Sequence, residues 1–225
     1  MNPAFDLIDV SHTVEDGLVT YQGLPPAVIT DYLTRAASRE RYAPGTEFQI
    51  GKIEMVANTG TYLDSPFHRY ADGSDLSQLN LHSLANLDGI VVRQVGATER
   101  GIRSAALKDL DVRGKAVLFH TGWDRFWRTG DYASGSHPFV ATETAEYLAE
   151  HGAALVGIDS FNIDDTANGE RPAHSILLAK GIPILEHMCG LGDLPEAGFK
   201  FFAVPVKVRG MGTFPVRAFG IVPQT

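Results

Sequence analysis

The chain has 225 residues, enough to bury one sizeable core, and it reads as a single domain over 1–225. Its 44% hydrophobic and 20% charged content are those of an ordinary globular protein, and no apolar run approaches the roughly 20 residues that cross a bilayer, so a membrane protein is not expected. The net charge of −8, with Lys and Arg scattered, excludes a basic nucleic-acid footprint, and the expected partner is a small-molecule substrate. In chain order, Met1 to Asp6 shows no basic stretch leading into an apolar core, which makes a cytoplasmic location the expectation. Strand-like runs follow at 53–57, 89–92, 116–119, 154–158 and 201–208. Thr142 is placed to cap a helix that carries Ala145, Leu148 and Ala149 on one face and stops at Gly152, and a shorter helix runs from Ala173 to Gly181. Helices alternating with strands in the second half, after a strand-rich first half, point to an α/β fold.

The densest chemistry lies between Asn58 and Gly73, in Asn58-Thr59-Gly60-Thr61-Tyr62-Leu63-Asp64-Ser65-Pro66-Phe67-His68 and the turn after it. Gly60 permits a positive φ and Pro66 stiffens the path, so Asp64 and His68 can be held in a fixed relation. Residue chemistry alone leaves a plain alternative open, in which Asp64 accepts turn hydrogen bonds and His68 is a structural histidine. The single cysteine, Cys189, has no partner for a disulfide within the chain and is expected to be a small buried side chain rather than a nucleophile. No Gly-x-Ser-x-Gly elbow and no Gly-x-Gly-x-x-Gly turn occurs, which disfavours a serine hydrolase and a Rossmann dehydrogenase.

The loop resembles the pattern His-x-Gly-Thr-His-x-Asp-x-Pro-x-His of the putative cyclases, the family that includes bacterial kynurenine formamidase and isatin hydrolase. Five of its seven defined positions match, with Asn58 and Tyr62 standing where the pattern has histidines. His174 and Glu186, twelve positions apart, repeat the family's second cluster. Asp9-Val10-Ser11-His12, Tyr21-Gln22-Gly23-Leu24-Pro25-Pro26, Thr121-Gly122-Trp123, Gly157-Ile158-Asp159-Ser160 and Pro215-Val216-Arg217-Ala218 add weaker likeness in the family's order. The resemblance implies a mixed, barrel-like β-sheet flanked by helices, a swivelling β/β/α domain, commonly assembled as a homodimer or homotetramer.

It also implies roles. Asp64, His174 and Glu186 would hold one divalent ion, Zn²⁺ or Mn²⁺, with the amide oxygen of Asn58 beside it. The pattern's two missing histidines leave a second ion without its usual ligands. His68 would be the general acid/base, a task suited to an imidazole near neutral pH. Tyr62 is a candidate donor to a developing oxyanion. Tyr21 matches an aromatic wall of the substrate pocket, although it could equally belong to the core. The leading expectation is a hydrolase acting on the C–N bond of an amide or formamide, or the C–O bond of a lactone, with N-formylkynurenine the first candidate. A metal-independent lyase or cyclase using His68 and Tyr62, and a catalytically silent binding protein, are the alternatives. His187 adjoins Glu186, and a continuing strand would turn it to the opposite face.

Overall fold

A computed structural model describes residues 4–224. Its strands are β1 (Phe5–Asp9), β2 (Val28–Leu33), β3 (Ile50–Glu54), β4 (Tyr62–Asp64), β5 (Leu87–Arg93), β6 (Gly101–Ile102), β7 (Ala116–His120), β8 (Phe139–Val140), β9 (Leu155–Ile158), β10 (Ile184–Glu186), β11 (Phe199–Phe202), β12 (Thr213–Pro215) and β13 (Phe219–Pro223). The helices are α1 (Arg35–Arg39), α2 (Thr142–Glu150) and α3 (Pro172–Ala179). Nine strands form one mixed sheet in the order β1-β13-β11-β5-β7-β9-β10-β4-β12, curled into a half-barrel as the resemblance implies. Its centre, β5 to β10, is parallel, and its flanks are antiparallel.

The β-branched runs form the parallel centre because both of its faces are covered. Val117 and Phe119 of β7, with Val156 and Ile158 of β9, point into a core closed by Leu148 of α2 and Leu177 of α3. Their neighbours Ala116, Leu118 and Leu155 face a second core with Leu185, Phe199 and Phe201. This two-residue alternation is the pleat at work.

Three expected elements differ. The strand expected over 201–208 is β11, which ends at Phe202: Ala203 N–H already turns to the Leu84 carbonyl, and Pro205 has no N–H to offer. Thr142 is the first residue of α2 rather than its cap, with Ala141 in the cap position. The short run at 53–57 lies earlier, as β3, and pairs only with β2 in a separate ribbon. Among the described residues, no helix is long and apolar enough to cross a membrane.

Candidate active site and metal centre

The site grows from the register of three short strands. In β4, Leu63 points into the core while Tyr62 and Asp64 point to the other face. Register sets Glu186 of β10 and Pro215 of β12 opposite Tyr62, and Ile184 and Thr213 opposite Asp64. The chain then turns through Pro66–His68, which swings His68 back over Asp64. The returning backbone passes so close that a Cβ on Gly212 would lie 2.4 Å from His68 N, so only glycine fits there.

His174 enters from the first turn of α3. Asp164, fully buried, accepts from the backbone N–H of Ala173 and His174 and from His174 Nδ1 at 2.6 Å. With its proton on Nδ1, the ring directs Nε2 at two carboxylates, Asp64 Oδ2 at 3.6 Å and Glu186 Oε1 at 3.7 Å. Those gaps are too long for hydrogen bonds and match ligand atoms around a shared ion, which stand ~3–4 Å apart when each is ~2 Å from the metal. Asp64 Oδ2 is buried and has no hydrogen-bond partner. An orphaned carboxylate oxygen facing an imidazole that is oriented by a second carboxylate fits a cation. Burial opposes a charge on His174, but Glu186, Asp164 and Asp64 outweigh it and carry its pKa up to about 10. The same acidic wall that draws a proton onto Nε2 has the charge to attract a cation.

Among the described residues, Asp64, His68 and His174 bring one ligand atom each within 4.8 Å of one another. Glu186 lies at the edge of this group, and each of its oxygens already accepts from the protein: Oε1 from Ile163 N–H at 2.7 Å and Oε2 from Tyr62 O–H at 2.6 Å. Burial pushes the Glu186 pKa up, with His174 opposing. His68 thus stands beside the ligand set expected from the sequence, and Asn58, the remaining expected member, lines the same cavity.

His68 also has a defined tautomer. Thr213 Oγ1 gives its one proton to Asp64 Oδ1, so its 2.8 Å contact with His68 Nδ1 requires Nδ1–H as donor. Nε2 is left as an acceptor on a half-exposed ring at the cavity.

On the far side of Glu186, Tyr62 behaves differently from its expected role. Its proton is committed to Glu186, so the Tyr21 hydroxyl at 2.8 Å is the donor to Tyr62. Tyr21 in turn accepts from His187 Nε2 at 3.0 Å, and His187 Nδ1 accepts from Tyr132 O–H at 2.8 Å. The Tyr21 proton also has the Phe161 carbonyl as an acceptor at 3.2 Å, and Asn162 Nδ2 donates to the Tyr21 oxygen. His187 reaches it because β10 ends at Glu186 and His187 adopts a φ of 53°, which places its ring on the same side instead of the expected opposite one. Tyr21 lines the cavity and also packs edge-on to Phe161. Cys189 carries a thiol pushed up to about 12 by burial and the acidic groups near it, which leaves it inert at neutral pH.

The cavity holds about 370 Å³ and is lined by Tyr21, Leu24, Asn58, Tyr62, His68, Asn162, His174 and Glu186, with Arg69, Glu170 and Arg171 at its charged rim. Asp164, Thr213 and His187 were not marked by any sequence motif; a carboxyl ten residues before His174 was the one available signal.

Known proteins resemble this chain in sequence and fold. A kynurenine formamidase of Bacillus cytotoxicus is 26% identical over 224 residues, covering 96% of this chain and 97% of that protein. A solved structure described as a potential metal-dependent hydrolase with cyclase activity superposes with a TM-score of 0.78 at 25% identity, covering 99% of this chain and all of that one. Isatin hydrolase A from Labrenzia aggregata, bound to benzyl benzoate, shares the fold with a TM-score of 0.83 at 17% identity over 98% of this chain and 95% of its own. The putative cyclase model matches residues 8–165, the stretch that carries the Asp64–His68 loop and Asp164, and with that match over more than half its length the chain belongs to the putative cyclase family.

Proposed function

We propose that this protein is a metal-assisted hydrolase that opens the C–N bond of a small amide or formamide, or the C–O bond of a lactone, with N-formylkynurenine the first substrate to try. The observation that carries the proposal is the His174 environment: Nδ1 tied to Asp164, and Nε2 facing Asp64 Oδ2 and Glu186 Oε1 at 3.6 and 3.7 Å, with Asp64 Oδ2 lacking any donor. Asp64, His174 and Glu186 would hold a divalent ion, Zn²⁺ or Mn²⁺, which when bound activates water and polarises a carbonyl. The relatives named kynurenine formamidase and metal-dependent hydrolase support the same reading.

The chain's own groups supply the rest. His68, its Nδ1–H anchored on Thr213, offers Nε2 to take a proton from the attacking water and return it to the leaving nitrogen or oxygen. Thr213 and Asp64 fix that ring, so the base is aimed before substrate arrives. Tyr62 and Tyr21 hold Glu186 in place, which weakens the metal-independent alternative that needs the Tyr62 proton for substrate. Hydrolysis of N-formylkynurenine and of an aromatic lactone, assayed before and after chelation and on restoring Zn²⁺ or Mn²⁺, tests the proposal. Turnover that chelation abolishes and metal restores is expected; turnover indifferent to both refutes it.

A homodimer or homotetramer is part of the same reading. The β2–β3 ribbon leaves Val28, Ile29, Tyr32, Ile50 and Ile53 exposed, an apolar surface of the kind that subunit contacts cover. A monomer in sedimentation at micromolar concentration would overturn this.

A further inference from the structure

Two arginines stand at the mouth of the cavity, and neither has a carboxylate partner among the described residues. Five other arginines are paired with a carboxylate (Arg39 with Glu47, Arg100 with Asp165, Arg103 with Glu99 and Glu143, Arg128 with Glu15 and Arg217 with Asp9), so what sets Arg69 and Arg171 apart is that they are unpaired and line the cavity. At the cavity the acidic neighbours are already taken. Asp165 is held by Arg100 at 2.9 Å, so Arg171 finds only the Asp165 carbonyl, at a long 3.5 Å. Glu170, also on the rim, is turned to the Asn168 amide.

Both guanidiniums are nonetheless held in position. Arg69 donates from Nε to Ser175 Oγ at 3.2 Å and lies over the Tyr70 ring, 5.3 Å from its centroid, while the Tyr70 hydroxyl donates to the Ser175 carbonyl. That grip uses Nε and leaves both Nη groups of Arg69 without a hydrogen bond. Ser175 N–H is bonded to the Arg171 carbonyl, so the two arginines are gathered at one turn of α3. Arg171 takes an αL backbone, φ 52° and ψ 57°, just ahead of Pro172, a conformation an arginine keeps only where its surroundings fix it. Each arginine also sits beside a site imidazole: Arg69 directly follows His68, and Arg171 precedes His174 by one helical turn. The cavity thus has acidic side chains at its base and, at its mouth, two guanidiniums against the one carboxylate of Glu170.

We propose that Arg69 and Arg171 form an anion subsite that selects substrates carrying a free carboxylate in addition to the scissile carbonyl. The substrate class is then an acylated amine or a lactone bearing a free carboxylate, such as an N-acylated amino acid or amino-acid derivative, rather than a neutral amide. The inference rests on the hydrolase reading for its substrate, but not for its binding site. A guanidinium is suited to this task because its donors meet both oxygens of a carboxylate, and it is more weakly hydrated than an ammonium.

The test has two arms on the metal-loaded protein. In the first, benzoate and benzamide are titrated into the wild type, Arg69→Gln, Arg171→Gln and Arg171→Lys by calorimetry. Each Gln variant is expected to weaken benzoate about tenfold and benzamide much less, with Arg171→Lys intermediate. Equal loss for both probes, or no loss for benzoate, overturns the subsite. In the second, kcat/KM is compared for N-formylkynurenine and its decarboxylated analogue. The preference for the carboxylated substrate should shrink about tenfold in each Gln variant, and an unchanged preference overturns the proposal. If neither compound is turned over by the wild type, the hydrolase reading fails on this substrate class while the benzoate arm still decides the subsite.

Discussion

The two sides of Glu186 are built from neighbouring positions of the same strands, yet they treat their polar atoms in opposite ways. On the Tyr62 side every hydroxyl and ring nitrogen is matched, from Tyr132 through His187, Tyr21 and Tyr62 to the carboxylate. On the Asp64 side a buried oxygen has no donor, and the His174 and carboxylate atoms stand too far apart to hydrogen-bond. A satisfied network rigidifies a core, whereas an unsatisfied one at a cavity wall is where an ion or substrate completes the structure. On this contrast the proposed chemistry is assigned to the Asp64 side and support to the phenol side, even though both contain residues of the same loop motif.

Substitutions on the two sides should separate accordingly. The largest effect is expected at His68: His68→Asn should lower kcat by about 10²- to 10⁴-fold, the usual worth of a general base, with little change in thermal midpoint. A variant within a few-fold of wild type would move the base elsewhere. Next comes Asp164→Asn, which removes the carboxylate that orients His174. Metal affinity should fall by roughly 10- to 100-fold in a competition titration, as for other partners that stand behind a ligating histidine. Unaltered affinity would show that His174 is not a ligand.

The sequence made part of this legible. Asp64, His68, His174 and Glu186 were visible because they fall on positions of the family pattern, and the β-branched runs at 89–92, 116–119 and 154–158 became β5, β7 and β9 because burial on both faces leaves a continuous apolar signal. Asp164, Thr213 and Gly212 were silent, since each acts only through where the fold brings it: Thr213 meets Asp64 by the register of β12 against β4, and Gly212 matters because His68 backbone lies against it. His187 was misjudged by assuming that β10 continues past Glu186; one positive φ reverses the side its ring occupies. Tyr62 was visible as a position but not as a donor, because the partner of its proton is set by the β4–β10 pairing.

The phenol side offers a smaller effect. Tyr62→Phe keeps the ring but leaves Glu186 Oε2 without its donor, while the Tyr21 hydroxyl keeps the Phe161 carbonyl as an acceptor, and should destabilise the fold by about 1–3 kcal/mol in denaturant unfolding. Its activity should fall far less than that of His68→Asn; a comparable loss would place Tyr62 among the catalytic groups and erase the contrast. The smallest effect is in acid. Burial lowers the His12 pKa to about 4, against an opposing pull from Asp124, and burial also holds His187 well below the usual histidine range. The unfolded chain therefore binds protons that these folded rings refuse, so stability should be full above about pH 6.5 and decline as pH falls toward about 4. A His12→Asn variant, which also loses the stack on Trp127, should show a shallower decline over that window; an identical slope would contradict the assignment.

The central claim is that the Asp64 side holds a cation and the Tyr62 side does not. Elemental analysis of the wild type and of His174→Asn, each purified without chelator or added metal, tests it most directly. About one equivalent of divalent metal per wild-type chain, bound through a three-ligand set, and little in His174→Asn is the expected result. A wild type without metal even after incubation with Zn²⁺ and Mn²⁺, or a His174→Asn variant that retains the full equivalent, would contradict it.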